Sequence, residues 1–316
     1  MSEVYDLIII GAGPAGLAAG LYAGRSRLNT LLIEKAADGG QIAITDDIEN
    51  YPGQKVEGES GPQLIERFSE QVDKFGAKRL SGNVTKVELT GDIKKVYVGK
   101  DETLYESKAV ILATGANPRK LEIPGEAEFT GKGVSYCATC DANFFEDFEV
   151  FVIGGGDSAV EEAMYLTNFA RKVFLVHRRD ELRAAKSIQE RAFKNEKLEI
   201  IWDSVPERLE GEGLLQRIVL KNRKTGEVTT YEADEDDGLI GCFVFVGNIP
   251  NTDLFKDQVK CDEKGYVIAD EDCRTNIPGV YAAGDMRVKS LRQVVTAAAD
   301  GAISAMQVEQ YIATME

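Results

Sequence analysis

Leu7-Ile8-Ile9-Ile10-Gly11-Ala12-Gly13-Pro14-Ala15-Gly16 is the stretch that decides the fold. An apolar run of the kind buried on both faces of a parallel sheet leads into Gly-x-Gly-x-x-Gly. Small and apolar residues at helical spacing then follow to Arg25. In such a strand–turn–helix, Gly11 permits the tight turn, Gly13 lets the backbone approach a pyrophosphate, and Gly16 allows helix to pack closely on strand. The helix start offers free N–H groups and the positive end of its dipole to phosphate. Glu34 closes the next apolar run, Thr30-Leu-Leu-Ile33, 18 residues past Gly16, where an acid accepts hydrogen bonds from a ribose. A glycine-rich turn without a ligand is the plain alternative. Strand, helix and acid, all in place, argue against it.

The pattern occurs twice. Val150-Phe-Val-Ile153 leads into Gly154-Gly155-Gly156-Asp157-Ser158-Ala159, with a helix expected over 158–169 and a second strand over 173–176. Here the acid position is taken by His177-Arg178-Arg179, and Arg183 follows one expected helical turn on. A carboxylate would repel a 2′-phosphate, whereas guanidinium groups pair with it bidentately. The formal charge of the chain is −16, so these arginines are hard to take as an ordinary solvated helix start. The second site therefore favours NADPH over NADH.

Between the fingerprints lies Cys137-Ala-Thr-Cys140-Asp141. Half of a zinc site is one reading. Zinc needs two further ligands, yet no second Cys-x-x-Cys exists, Cys242, Cys261 and Cys273 are scattered, and His177 is the only histidine. A disulfide-forming pair fits better, because close spacing lets the sulfurs pair reversibly and lowers a thiol pKa. Asp141 can manage the proton of dithiol exchange or cap a helix, and the two roles are compatible. A dithiol beside a nicotinamide fingerprint implies electrons moving between a nicotinamide, a flavin and a disulfide.

Composition narrows the remaining classes. With 316 residues, 43% of them hydrophobic, the chain suggests about two domains and can bury a large core. Its negative charge repels phosphate backbones and anionic lipid, which argues against nucleic acid and membrane surfaces as partners. No apolar stretch approaches the roughly 20 residues of a membrane span. No basic segment precedes the first apolar run, and with five cysteines and no secretory signal the expected location is cytoplasmic.

Along the chain we expect an ordered loop over 39–53, a helix over 61–75, and strands over 84–89, 94–98 and 109–115. Pro- and Gly-containing linkers follow at 116–120 and 247–250, with a helix over 181–193 and further strands to 246 between them. The acidic run 232–237 reads as a solvated loop, and a last helix begins near 294. The repeated nucleotide unit makes this an α/β chain of two Rossmann-like dinucleotide-binding domains, the second inserted into the first.

These residues together resemble the bacterial-type, low-molecular-weight thioredoxin reductases over essentially the whole chain. The resemblance is carried by both fingerprints, Gly39-Gly40-Gln41, Glu49-Asn50-Tyr-Pro-Gly53, Ala113-Thr114-Gly115, Cys137-Ala-Thr-Cys140-Asp141, His177-Arg178-Arg179-Asp180, Gly284-Asp285 and Arg292-Gln293. It implies a discontinuous FAD domain (1–116 and 247–316) around an NADPH domain (117–246) that carries the redox dithiol. FAD contacts are expected from the first fingerprint, Glu34, Gly40, Gln41, Asn50, Val84, Asp285, Arg292, Gln293 and Val294. The family order makes Cys140 flavin-proximal and Cys137 the interchange thiol, with thioredoxin as the partner and a homodimer as the assembly. Phe144 and Phe145 are either part of the docking surface or core. Asp157-Ser158 stands where many relatives have Asn-Thr, which leaves the glycine scaffold intact. Electron transfer, by the same resemblance, runs from NADPH to FAD to the Cys137–Cys140 disulfide to thioredoxin. Two alternatives remain: a same-fold reductase of a glutaredoxin-like or peroxidase-linked partner, and a non-enzymatic flavin or zinc redox sensor.

Overall fold

Leu7, Ile8 and Ile9 are wholly buried because the strand they form, Val4–Ile10, is covered on both faces. Leu7 and Ile9 face a core shared with the helices Pro14–Arg25 and Val294–Ala313. Ile8 and Ile10 face a second core with Leu31, Val96 and Met286. This period-2 division is why the run is continuously apolar. Each such side chain contributes about 1.5–3 kcal/mol by leaving water. The structure, a computed structural model, describes residues 3–44, 48, 50–55, 58–234 and 236–315, so Glu49 and Glu235 lie outside the described residues.

Two compact units emerge, one of 1–117 with 249–316 and one of 118–248. In the first, strands Lys78–Ser81, Thr30–Glu34, Val4–Ile10, Thr103–Leu112 and Val280–Ala282 run parallel in that order. Lys94–Val98 and Val84–Glu88 extend the sheet antiparallel from the first half of Thr103–Leu112. The helix Pro14–Arg25 makes the first crossover, and Gly20 and Gly24 let Val72 and Phe75 of the neighbouring helical segment approach it. Helix Gly61–Lys74 starts on a Ser60–Gln63 capping box and stops at Phe75, before Gly76 at φ +79°.

The second unit holds an all-parallel sheet in the order Leu198–Ile201, Lys172–Val176, Glu149–Gly154, Gly241–Phe245, Val134–Ser135. Beside it stands an antiparallel sheet of Ser204–Glu210, Arg217–Asn222 and Val228–Glu232, joined by short loops over 211–216 and 223–227. The chain crosses between units in two short strands, Ala116–Pro118 and Asn248–Pro250, that form a two-stranded sheet. Among the described residues no helix is long and apolar enough to cross a membrane.

Three expectations need correction. The helix expected over 181–193 is confined to Lys186–Ala192. The preceding residues spend their N–H groups elsewhere: Arg183 donates to the Gly155 carbonyl at 2.7 Å and Ala185 to the Asp157 carboxylate at 2.7 Å. Arg183 therefore sits on an extended loop, not one helical turn beyond Arg179. The helix expected over 158–169 closes at Leu166, where the Thr167 hydroxyl turns back onto the Met164 carbonyl. The acidic run is not all solvated loop either, since Glu232 ends a strand and Asp237 pairs with Arg171 at 2.7 Å, its side chain mostly buried.

Candidate functional site

The first fingerprint folds into a turn whose middle glycine is open. A Cβ on Gly11 or Gly16 would strike backbone, whereas one on Gly13 would meet nothing closer than the Gly39 carbonyl oxygen at 4.0 Å. The helix beginning at Pro14 has no side-chain cap, so its first N–H groups are left for a ligand. Glu34 is spent partly on the loop itself, its carboxylate accepting the N–H of Ala12 at 2.7 Å and of Lys35 at 2.8 Å.

Around this turn the fold gathers most of the other expected cofactor contacts. Gly284 lies against Ala15, whose Cβ a substituent there would meet at 3.0 Å. Ala113 is buried beside Gly11, and the Thr114 hydroxyl donates to the Asn251 carbonyl at 2.6 Å, just before Gly115 at φ +68°. Asn50 donates to the Gln293 side chain at 3.1 Å, and Gln293 and Val294 open the last helix. Gln41 donates to Asn117 at 2.8 Å, and a Cβ added to Gly40 would lie 3.8 Å from the Gly13 Cα. Arg292 lies over the Tyr266 ring at 4.2 Å and donates to the Asp285 carbonyl. Val84, half-buried, packs against the second core from the edge strand Val84–Glu88.

Asp285 tests whether this cradle suits FAD. Its Oδ1 is buried without a hydrogen-bond partner, and burial pushes its carboxyl pKa above the ordinary range. An orphaned acceptor of this kind wants a hydroxyl donor, which a ribityl or ribose chain supplies. The open Gly13 and the uncapped helix supply the complementary space and donors for pyrophosphate. The residues fit the group.

Asp300 was not singled out from sequence. It is buried in the last helix and accepts the Gly284 N–H at 3.0 Å while pairing with Arg287 at 3.0 Å and Lys289 at 2.7 Å. One signal was readable: a lone acid inside Ala-Ala-Ala-Asp-Gly-Ala-Ile-Ser-Ala. Asp300→Ala strands two buried cations, so we expect a loss of about 3–5 kcal/mol in unfolding free energy, measured by urea denaturation.

In the second unit the phosphate loop is clamped from below. The His177 ring, 4% exposed, contacts the Gly154 carbonyl through Nδ1 at 2.8 Å and the Glu181 carbonyl through Nε2 at 3.0 Å. Both nitrogens are occupied by backbone, so His177 lies beneath the loop rather than pointing out toward a coenzyme. Desolvation by burial holds its pKa below the ordinary value. A Cβ on Gly155 would strike this ring at 2.1 Å, while Gly156, at the uncapped helix start, faces open space. Asp157 is turned back to Ala185, and Ser158 is exposed in the first turn. The result leaves Arg178, Arg179 and Arg183 exposed above a fixed backbone. The antiparallel sheet supports them: Asp203 N–H donates to the Arg179 carbonyl at 3.1 Å and Arg223 to the Arg178 carbonyl at 3.3 Å.

Cys137 and Cys140 are joined as a disulfide, with Cα atoms 5.3 Å apart and both residues half-buried. The pair opens a one-turn helix, Ala138–Asp141, at the end of the edge strand Val134–Ser135. Phe144 is 53% exposed, whereas Phe145 is 5% exposed and packs edge-on against Phe243 at 5.2 Å, so only Phe144 is free to meet a partner. Burial pushes the Cys242 thiol up to about 12 and also raises Cys261 and Cys273, so none of the three has the lowered thiol pKa of a reactive cysteine. Among the described residues no group of three or more His, Cys, Asp or Glu side chains is placed to hold a metal ion.

Comparison with known proteins adds to this geometry. Residues 5–301 match the family model for pyridine nucleotide-disulphide oxidoreductases. The chain is 59% identical over 312 residues to a thioredoxin reductase of Peptoclostridium acidaminophilum, covering 99% of this chain and 98% of that one. It is 45% identical over 319 residues to the Bacillus subtilis thioredoxin reductase, covering 100% and 98%. The crystal structure of thioredoxin reductase from Streptococcus pyogenes superposes with a TM-score of 0.90 at 48% identity, covering 99% of this chain and all of the other.

Proposed function

The chain belongs to the low-molecular-weight bacterial thioredoxin reductases, within the pyridine nucleotide-disulphide oxidoreductases, and from that premise we propose how its residues divide the work. The observation that carries the proposal is the half-buried Cys137–Cys140 disulfide, in the same unit as the second fingerprint and followed at once by Asp141.

FAD would be held by the first fingerprint, Gly40, Gln41, Asn50, Asp285 and the 292–294 segment; when bound, it passes an electron pair from nicotinamide to the disulfide. NADPH would lie over Gly156, its 2′-phosphate among Arg178, Arg179 and Arg183, on a loop that His177 and Asp157 keep in shape. Once reduced, Cys137 attacks the disulfide of thioredoxin and Cys140 resolves the mixed disulfide, while Asp141 takes up and returns the thiol proton. Phe144 gives the partner an apolar contact beside the dithiol. The disulfide and the second fingerprint share one unit while the first fingerprint belongs to the other. The reading therefore also requires the 118–248 unit to turn about its two crossing strands during turnover, as few-residue hinges allow. We further assign a homodimer and a cytoplasmic location, which the family resemblance supports. Sedimentation of the FAD-loaded protein at a monomer mass would remove the dimer assignment.

The deciding experiment is turnover of purified, FAD-loaded protein with NADPH and the host's thioredoxin. Thiol release on thioredoxin is expected; release only on a glutaredoxin-like or peroxidase-linked protein would move the partner assignment. Coenzyme choice has its own test. Replacing Arg178 and Arg179 with Gln removes charge-assisted hydrogen bonds to phosphate, so KM for NADPH should rise about 100-fold with KM for NADH nearly unchanged. Equal effects on both coenzymes would remove the 2′-phosphate assignment.

A further inference from the structure

Ser135 belongs to no motif, yet it stands between the two halves of the redox centre. It ends the strand Val134–Ser135, paired in register with Phe243 of the adjoining parallel strand, and is 5% exposed. Its Oγ accepts the N–H of Cys137 at 3.1 Å, and its hydroxyl donates to Oδ2 of Asp141. The Cys137 carbonyl oxygen lies 3.3 Å from the same Oγ, but a hydroxyl has one hydrogen, and a carboxylate is the stronger acceptor. One buried oxygen thus ties the backbone of the first cysteine to the carboxylate that follows the second. Because that oxygen rides on a paired strand, its place is set by the sheet rather than by the short helix it serves.

We propose that Ser135 is a positioning residue for thiol–disulfide exchange, holding the Asp141 carboxylate where it exchanges a proton with the reduced pair. The proposal rests on the reading of Asp141 as acid and base. In the step it serves, a thiol of the pair gives its proton to the Asp141 carboxylate, and the resulting thiolate attacks a sulfur of the thioredoxin disulfide. The thioredoxin S–S bond breaks, its electron pair leaves on the second thioredoxin sulfur, and that sulfur takes the proton from the Asp141 carboxyl. The remaining cysteine then gives its proton to the freed Asp141 carboxylate, and its thiolate attacks the other sulfur of the pair to close the Cys137–Cys140 disulfide. The departing thioredoxin sulfur takes that proton, so thioredoxin leaves with two thiols. Two electrons move from this chain to thioredoxin and no other reductant is needed. Without Ser135 the carboxylate keeps its chemistry but loses the group that aims it.

The test uses the FAD-loaded enzyme with NADPH and thioredoxin. Ser135→Ala should lower kcat about 10- to 100-fold, the scale of a lost hydrogen bond to a charged group, with KM for NADPH and thioredoxin unchanged. Ser135→Thr keeps the hydroxyl and should restore most of kcat. In an Asp141→Asn background, Ser135→Ala should lower kcat no further, because its effect passes through the carboxylate. An equal loss in both backgrounds would mark Ser135 as merely structural and overturn the proposal while leaving Asp141 in its role. Unchanged kcat in Ser135→Ala would overturn it as well. If Asp141→Asn alone leaves kcat intact, the acid–base reading fails and takes the proposal with it.

Discussion

Cys140→Ser will capture thioredoxin as a stable mixed disulfide, and Cys137→Ser will not. Both substitutions should reduce NADPH-dependent thioredoxin reduction by about a thousandfold or more, since each removes a group that acts only as half of a pair. They differ in what they leave behind. With Cys140 gone, Cys137 still attacks the partner, but no second thiol resolves the product, so a covalent complex accumulates and a non-reducing gel reports it. With Cys137 gone, the proposed assignment leaves Cys140 as a lone thiol facing the flavin, and a long-wavelength absorbance band from a thiolate beside bound FAD is expected instead. Reduction of bound FAD by NADPH should survive in both, because the proposed assignment gives neither sulfur a part in hydride transfer from nicotinamide. Cys137 caps the one-turn helix that contains Cys140, and both are partly buried, so the assignment distinguishes them by which way each sulfur faces. Trapping by Cys137→Ser instead would reverse the assignment.

Gly13→Ala should strip FAD from a chain that otherwise folds normally, while Gly16→Ala should damage fold and binding together. A methyl on Gly16 comes within 1.8 Å of the Gly11 carbonyl oxygen. Gly11 has little room to retreat, since its φ is +107° and its N–H is bonded to the Ile33 carbonyl at 2.9 Å. Overpacking of this kind costs about 1–3 kcal/mol, occasionally more. Gly13 lies at φ −72° and ψ −177°, extended backbone that alanine adopts freely, with nothing of the protein closer than 4.0 Å to the new methyl. The folded chain should therefore lose no more than about 0.5 kcal/mol, as at an unconstrained surface site. Only a pyrophosphate lying against the turn would meet the added carbon. Urea denaturation of the apoprotein and FAD retention on gel filtration separate the two effects. Full retention of FAD by Gly13→Ala would place the pyrophosphate elsewhere.

The parts of the fold legible in the sequence are those in which one residue type has one physical reason. Ile8 and Ile9 had to be buried on opposite faces, and Gly11-x-Gly13-x-x-Gly16 had to turn from strand into helix. Glu181 to Ala185 misled because their composition suits a helix, while the N–H groups of Arg183 and Ala185 are claimed by Gly155 and Asp157, which lie far off in the chain. Tertiary hydrogen bonds overrode propensity there. His177 sits in the motif of a coenzyme contact, yet its ring is consumed beneath the loop by carbonyls that folding brings to it. Ser135 and Asp300 escaped for a related reason: each owes its importance to partners brought by folding, and neither carries a local signature beyond being polar among apolar neighbours.

The last helix has a consequence for how the chain is made. Residues 118–248 leave the ribosome as one continuous piece that contains every strand of its parallel sheet, so this unit can fold before synthesis ends. The sheet begun by Val4–Ile10 has to wait for Val280–Ala282, and then for Val294–Ala313, whose Gly301 fits so closely on Ala15 that a Cβ there would lie 2.1 Å from its carbonyl oxygen. The nascent protein thus carries an unfinished apolar face until Val294–Ala313 emerges, the stage at which an acidic chain benefits most from its own charge repulsion. Acquisition of yellow colour becomes a completion signal: ribosome-stalled chains ending before Asp300 should hold a protease-resistant 118–248 core and no flavin.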